Sequence, residues 1–392
     1  MRARGCLVLG VVSAVLLTAT PAAAQGGLND VISRQLSNNC AGLGGSGGAY
    51  SGELARICNV SNVFGGGAAA GGTATIEDRV SQFDEERRLR RRLRERREQA
   101  ASADVVTGRG FSLFVSAEYQ NLDKDTTRFE TGFRQDTVGA TVGGDYAFGT
   151  LAIVGAALHF AHEFGDYDGV GGGYDHNKYG VSVYGSLTPV ANLFIDATLG
   201  YTWVDYAFDR RAAFTASTAA VAGSTSASSH GDEVRAGLSA GYDFVVGPVT
   251  VGPRVGINYR DAVIDGFHES GRTGLELIYD DQHSDSLTTS AGLFGSVAIS
   301  TGFGVIVPQA TAEYVHEFLN DQRTVGFSFS GDAARRRFRF QTDRPDRDYF
   351  FVGVGAVVVL PGGVSPFVNY RELLGHRDRS SHTVTAGLRF AF

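Results

Sequence analysis

Five of the nine histidines, His159, His162, His176, His268 and His316, lie in a region rich in carboxylates, where proton transfer or metal ligation would be the chemistry to look for. The most suggestive is His316, beside Glu317 in "YVHEF". A base and its orienting carboxylate must point at each other, whereas neighbouring residues of an extended segment point to opposite sides. His159 and His162 differ in parity too. No Ser, His and acid gather at a common strand end, so the chain is read as no enzyme, without cofactor or metal site. Arginine offers different chemistry. In "TVGFSFSGDAARRRFRFQTDR", Arg335, Arg336, Arg337 and Arg339 have the charge to bind phosphates or another polyanion, set against the plainer reading of a solvated basic loop. Phe327 and Phe329 are expected to pair with Phe338 and Phe340 in a hairpin extending outward.

The cysteines report on compartment. Arg2 and Arg4, the apolar "CLVLGVVSAVLL" and the small residues of "PAAAQ" have the form of a signal peptide over residues 1–24, which would carry Cys6 away. Cys40 and Cys58 remain, and an even pair in an exported chain reads as one disulfide. On the chain-entropy view, closing that loop contributes roughly 3 kcal/mol. A metal site is the weaker reading, since no His or third Cys lies near them.

These residues must be positioned by something, and composition narrows what. The 392 residues include 53 Gly, 8 Pro, 26 Phe and 15 Tyr, which suits many short strands and tight turns. Past the first 25 residues no run of 18 apolar residues occurs, so a spanning helix is not expected there. Residues 25–75 are Gly- and Ala-rich, with "GGSGGAYSG" and "FGGGAAAGG" flanking a short helical stretch; no Gly-Lys-Ser or Gly-Lys-Thr follows, so they read as spacer, not phosphate loop.

From about residue 108 onward the pattern has period two. "LFVSAEY" sets Leu113, Val115, Ala117 and Tyr119 against Ser112, Ser116 and Glu118. "LFIDATLGYTWVDY" and "EVRAGLSAGYDF" repeat the alternation, and about twelve such stretches can be counted. The polar side holds Gly, Ser and Thr with an occasional charge, and the apolar side carries Tyr and Trp near strand ends. That inverts the soluble arrangement and predicts a polar lumen, an apolar belt and aromatic girdles. Connections alternate in length. Short ones are expected at 148–150, 188–192, 246–248, 301–304 and 361–363, and longer ones at 120–134, 163–176, 207–230, 263–282 and 319–347, with a brief last one at 375–380. The Ala-, Ser- and Thr-rich stretch 210–230 is read as a mobile loop. The expectation is an all-β transmembrane fold, a twelve-stranded antiparallel outer-membrane β-barrel over residues 105–392. Its last strand puts Val384, Ala386, Leu388, Phe390 and Phe392 on the lipid face, which explains a chain ending on Phe392.

Ahead of the barrel, residues 76–104 contain "IEDRVSQFDEERRLRRRLRERREQAA". Asp84 with Arg88 and Glu86 with Arg90 have the acid-first spacing of four that supports a helix. Ile76, Val80 and Phe83 form a thin apolar stripe that stops before the Arg-rich half. A solvated helix or linker is one reading. A nucleic-acid arm fits poorly with an exported chain of net charge −7. A helix inside the barrel is the third.

The stretches "GVSVYGSLTP", "NLFIDATLGYTWVDY", "FHESGRTGLELIYDDQHSDSLTTSAGLFGSVAI", "VPQATAEYVHEF", "FFVGVGAVVVLPGGVSPFVNYRE" and the terminal strand, in this order over residues 108–392, resemble the C-terminal translocator barrel of the autotransporter family (type V secretion). The resemblance implies a barrel inserted by the barrel-assembly machinery, which reads the last strand, here Val384, Ala386, Leu388, Phe390 and Phe392. It also implies a helix threading the pore toward an exported passenger. Arg87, Arg88, Arg90, Arg91, Arg92 and Arg94 would then meet lumenal Glu118, Asp196, Glu233 and Glu313, and Arg235, Arg254 and Arg260 would meet the helix acids. A helix of about 22 residues is about 33 Å long, close to the thickness to be crossed. Two features depart from the family: the upstream segment is short, and no Asn lies between Asn62 and Asn121 for cleavage at a lumenal Asn. The expected partners are outer-membrane lipid, lipopolysaccharide and the assembly machinery, with no nucleic acid, for a monomeric protein. A plugged or weakly conducting pore and a loop-based surface adhesin are the alternative roles.

Overall fold

A computed structural model of the chain describes residues 68–70, 87–91, 93–94, 110–169, 172–215 and 220–392. The expected signal peptide, Cys40, Cys58, Arg92 and most of 76–104 lie outside the described residues. Twelve long strands carry the architecture: β1 (Phe111–Lys124), β2 (Phe133–Phe148), β3 (Ala152–Tyr167), β4 (Gly172–Val190), β5 (Leu193–Thr215), β6 (Ala220–Tyr242), β7 (Val249–Ile264), β8 (Gln282–Val297), β9 (Gly304–Glu317), β10 (Asp348–Val359), β11 (Val364–Leu374) and β12 (Arg379–Ala391). Each pairs antiparallel with the next. β12 then pairs antiparallel with β1, from Ser112 opposite Ala391 to Lys124 opposite Arg379, which closes the barrel. Closure leaves no open sheet edge facing lipid, where unpaired backbone groups would each cost several kcal/mol.

Alternation assigns the two faces. On β1, Phe111, Leu113, Val115 and Tyr119 are exposed outward, while Ser112, Ser116, Glu118 and Gln120 are buried in the interior. On β12, Val384, Leu388 and Phe390 face out, as does Phe392 just beyond the strand, and Ser381, Thr383, Thr385 and Arg389 face in. Phe392 donates its N–H to the carbonyl of Phe111 at 3.0 Å and stacks on that ring at 6.3 Å, so the seam is tied at its lower end. Tight turns join strands at that end. Asn192 (φ 68) and Gly247 (φ 59) occupy the left-handed backbone region that two of these turns need.

The opposite end differs from the sequence expectation in two places. Residues 207–230 are mostly strand: β5 and β6 stay in register out to Thr215 opposite Ala220, with only 216–219 outside the described residues. Backbone pairing at this end needs no apolar alternation, which is why a run of Ala, Ser and Thr gave no sign of it. The hairpin of Thr324–Phe329 and Arg337–Gln341 forms, with Phe327 opposite Phe338, but it does not stand outward by itself. It joins Leu277–Tyr279 and Phe267–His268 in a four-stranded sheet, and Phe327, Phe329 and Phe340 are buried in a large apolar cluster. A three-residue strand, Ala68–Ala70, pairs antiparallel with the outer tip of β5, Ala69 opposite Ala213.

Candidate functional site

The lumen holds a helix, described at residues 87–91 and 93–94. Arg and Leu are both good helix formers, and Leu89 and Leu93, four apart, lie on one face. Both are buried, in one cluster with Phe114, Ile153, Ala157 and Tyr184 of the wall. Burying each leucine contributes about 1.5–3 kcal/mol. Leu89 and Leu93 therefore give the Arg-rich half an apolar face of its own, which the sequence reading did not name because two leucines among so many arginines hide it; Ile76, Val80 and Phe83 lie outside the described residues.

Arg87, Arg90 and Arg94 are held by the opposite wall, and Arg88 by β1 on the side of the leucines. Arg87 Nε lies 3.2 Å from Glu313 Oε2 on β9. Arg88 Nη1 lies 3.1 Å from Glu118 Oε1 on β1. Arg90 donates to Asn258 on β7, and Arg94 donates to Gln309 Oε1 on β9 at 2.9 Å. Arg87 also sits 4.1 Å over the Phe351 ring and Arg94 4.0 Å over Phe294. Such stacking suits the weakly hydrated, planar guanidinium better than an ammonium. Space for Arg90 is made by glycine: a Cβ on Gly237 would lie 2.6 Å from its Nη2, and one on Gly256 3.1 Å from its Nη1.

These contacts fix the helix direction. Arg87 meets β9 at Glu313 and Arg94 meets it at Gln309, four residues nearer the short turn before Gly304. The N-terminal end of the helix therefore points toward the end with the long connections. Beside the helix a cavity of about 150 Å³ is lined by Arg90, Arg91, Arg94, Asp196 and Arg254. Toward the short turns a wider space of about 680 Å³ opens, lined by Ile153, Phe194, Pro248 and Val357 among others.

The four acids named as lumen partners divide. Glu118 and Glu313 face helix arginines directly. Asp196 accepts a hydrogen bond from Ser186 at 2.6 Å and lines the cavity with Arg91 and Arg94. Glu233 lies farther toward the long connections, where Arg235, Lys178 at 3.6 Å and Arg260 at 3.9 Å surround it. Arg254 pairs with Asp243 and covers the Phe194 ring at 4.4 Å. The sequence reading missed Lys178, which is buried and bonded to Glu163 at 2.8 Å. Its inward parity on β4 was the available signal.

The histidines are scattered. His316 faces outward and pairs with Asp348 at 2.7 Å, while Glu317 faces inward and accepts the Leu287 N–H at 3.0 Å. His159 bonds Thr141 inside, His162 bonds Asn177 outside, and His176 stacks on Tyr174. Among the described residues no group of three or more His, Cys, Asp or Glu is placed to hold a metal ion. In the basic loop, Arg336 is bound to Asp332 at 2.9 Å and Arg337 to Asp280 at 2.7 Å, while Arg335 and Arg339 are exposed.

Comparison with known proteins gives a consistent answer. The family model described as Autotransporter beta-domain matches residues 113–371. The translocator domain of the autotransporter NalP from Neisseria meningitidis superposes with a TM-score of 0.60 at 16% identity, covering 82% of this chain and all of that one. The beta domain of the Bordetella autotransporter BrkA gives 0.51 at 14% identity, covering 72% of this chain and all of that one. Comparison with curated protein sequences gives no match.

Proposed function

We propose, for a chain that belongs to the autotransporter β-domain family and is thus an outer-membrane barrel of a Gram-negative bacterium, that it carries its own N-terminal segment through the lumen and anchors it there, without catalysis. Residues 1–24 act as a cleaved signal peptide, and residues 25–75, closed by a Cys40–Cys58 disulfide, are the small passenger. The observation that carries this reading is the helix direction. Arg87–Glu313 and Arg94–Gln309 hold the described helix residues inside the barrel with their N-terminal end toward the long connections. The pairing of Ala68–Ala70 with the outer tip of β5 supports it, because that tip stands well beyond the belt.

The outward residues of β12, Val384, Ala386, Leu388, Phe390 and Phe392, serve in this reading as the signal for the barrel-assembly machinery. Outer-membrane lipid surrounds the belt of a monomeric barrel, and Arg335 and Arg339 are available to lipopolysaccharide phosphates.

The test is an epitope tag placed after Gly48, with protease added to intact cells and a periplasmic protein as leakage control. Removal of the tag from a correctly inserted barrel is expected. Full protection of the tag would leave residues 25–75 in the periplasm and overturn the translocator reading.

A further inference from the structure

The helix is not the only structure that fills the lumen. Toward the long connections, inward residues of β1, β2, β3, β4, β5 and β7 share one apolar cluster with residues of two loops, 265–281 and 318–347. Leu122 on β1 and Ile264 on β7 stand six strands apart in a ring of twelve, half a turn of the barrel, and both are fully buried. A cluster that reaches both of these walls spans the lumen. Its rings run in an unbroken line from the wall into the loop sheet: Phe208 to Phe267 at 5.3 Å, Phe267 to Tyr279 at 4.7 Å, Tyr279 to Phe327 at 6.4 Å and Phe327 to Phe340 at 6.1 Å.

The loops are pinned to the walls by buried charge. Arg210 on β5 binds Glu269 through Nε at 2.7 Å and donates to the carbonyl of Leu275 at 2.8 Å. Glu269 also accepts the Leu277 N–H at 2.9 Å, so one ion pair sets the position of the whole loop. On the other side Lys124 on β1 lies 2.9 Å from Asp343 and 3.4 Å from Glu130, and Thr127 donates to Asp343 at 2.7 Å. The described helix residues take no part. Leu89 and Leu93 belong to a separate cluster nearer the short turns.

We propose that the loop sheet is a second seal of the pore, in series with the helix and independent of it. A dry aromatic constriction excludes water and ions without a moving part, because hydrating it would wet rings that are buried against one another. The barrel then stays impermeable even when the helix is absent. Where residues 25–75 reach the cell surface as proposed above, they do so past this sheet, which closes over the passage once residues 76–101 are removed.

The experiment compares four purified barrels in planar bilayers: the full chain, one lacking residues 76–101, one with residues 323–342 replaced by Gly-Ser-Gly, and the combination. Heat-modifiable gel migration establishes that each is folded; Phe327→Ser with Phe329→Ser substitutes for the loop replacement if that barrel does not fold. Both single changes are expected to stay at the background conductance of the full chain. The combination is expected to open, with ionic current at least about tenfold above either single change. Helix deletion alone conducting as well as the combination would overturn the second seal. Loop replacement alone conducting would overturn the series arrangement, and a folded combination that stays closed would overturn both.

Discussion

Arg389 on β12 reaches Asp145 on β2, Nη2 to Oδ2 at 2.6 Å, although β1 lies between their strands. Ser112 on β1 bridges them, donating to Asp145 Oδ1 at 2.8 Å and receiving a hydrogen bond from Arg389 Nη2 at 3.1 Å. Both charged side chains are 1% exposed. The barrel is therefore closed at its seam twice over, by the β12–β1 backbone ladder and by a buried polar link that skips a strand. Arg389→Ala is expected to lower stability by about 3–5 kcal/mol, because it strands a buried carboxylate. Asp145→Asn combined with Arg389→Met should cost less than Arg389→Ala alone. Urea midpoints of the folded, heat-modifiable form check both values. A midpoint for Arg389→Ala equal to that of the unmodified barrel would show that the ladder alone holds the seam.

Leu89 and Leu93 are expected to dock the helix as much as its arginines do. Leu→Ala at a buried site costs about 2–5 kcal/mol, whereas a lumenal ion pair offsets its attraction against the desolvation of both partners. Leu93→Ala should therefore raise amide hydrogen exchange across residues 87–94 more than Arg88→Gln does. The reverse order would make charge the main tether.

How far these features were readable varies with the range of the interaction that produces them. The inward positions of Glu118 and Glu313 follow from a period of two, a property of adjacent residues. Leu89 and Leu93 obey an equally local rule, but the arginines around them masked the stripe. The mouth was not readable. Phe208, Phe267, Tyr279 and Phe327 come together across more than a hundred residues of sequence, and no local pattern says that outward loops turn back to bury their rings. Glu233 shows the same limit from the other side. Its inward face was legible, but its partners Arg235 and Lys178 depend on how far along the barrel axis it sits.

Gly237 gives a test of fit that is separate from helix strength. A Cβ there would lie 2.6 Å from Arg90 Nη2, 2.8 Å from Thr198 Oγ1 and 3.0 Å from Asn258 Oδ1. Alanine displaces only side-chain ends, but leucine fills the seat of Arg90. Overpacking of this kind typically costs about 1–3 kcal/mol. Gly237→Leu is expected to weaken helix docking, read as faster exchange in residues 87–94, while the barrel keeps its heat-modifiable migration. Restoring slow exchange by adding Arg90→Ala would locate the effect at that contact.

The turn between β11 and β12 is expected to loosen in mild acid. His376 is almost fully buried there, with Nδ1 3.6 Å from Asp346 and its ring 6.0 Å from Tyr349. Burial first, and then the neighbouring Arg379 charge, hold its pKa down at about 4, against the pull of Asp346. A histidine depressed in the folded state is neutral there when the unfolded one would already be charged. Its contribution is intact above the unfolded value of about 6.5, is lost as pH falls toward 4, and then levels off; the full loss is roughly 3 kcal/mol. Glu130, whose carboxyl is pushed up chiefly by burial, gains from acid and works in the opposite direction. Asp346, held low against its own burial by its bonds from Arg377, stabilises the turn throughout this window and loses that contribution only as pH falls below the usual carboxylate range. Comparison with His376→Gln isolates the histidine. Amide exchange at residues 375–379 should accelerate between pH 7 and pH 4.5 in the unmodified protein, after correction for intrinsic rates, and stay flatter in the variant. Equal acceleration in both would assign the loosening to another group.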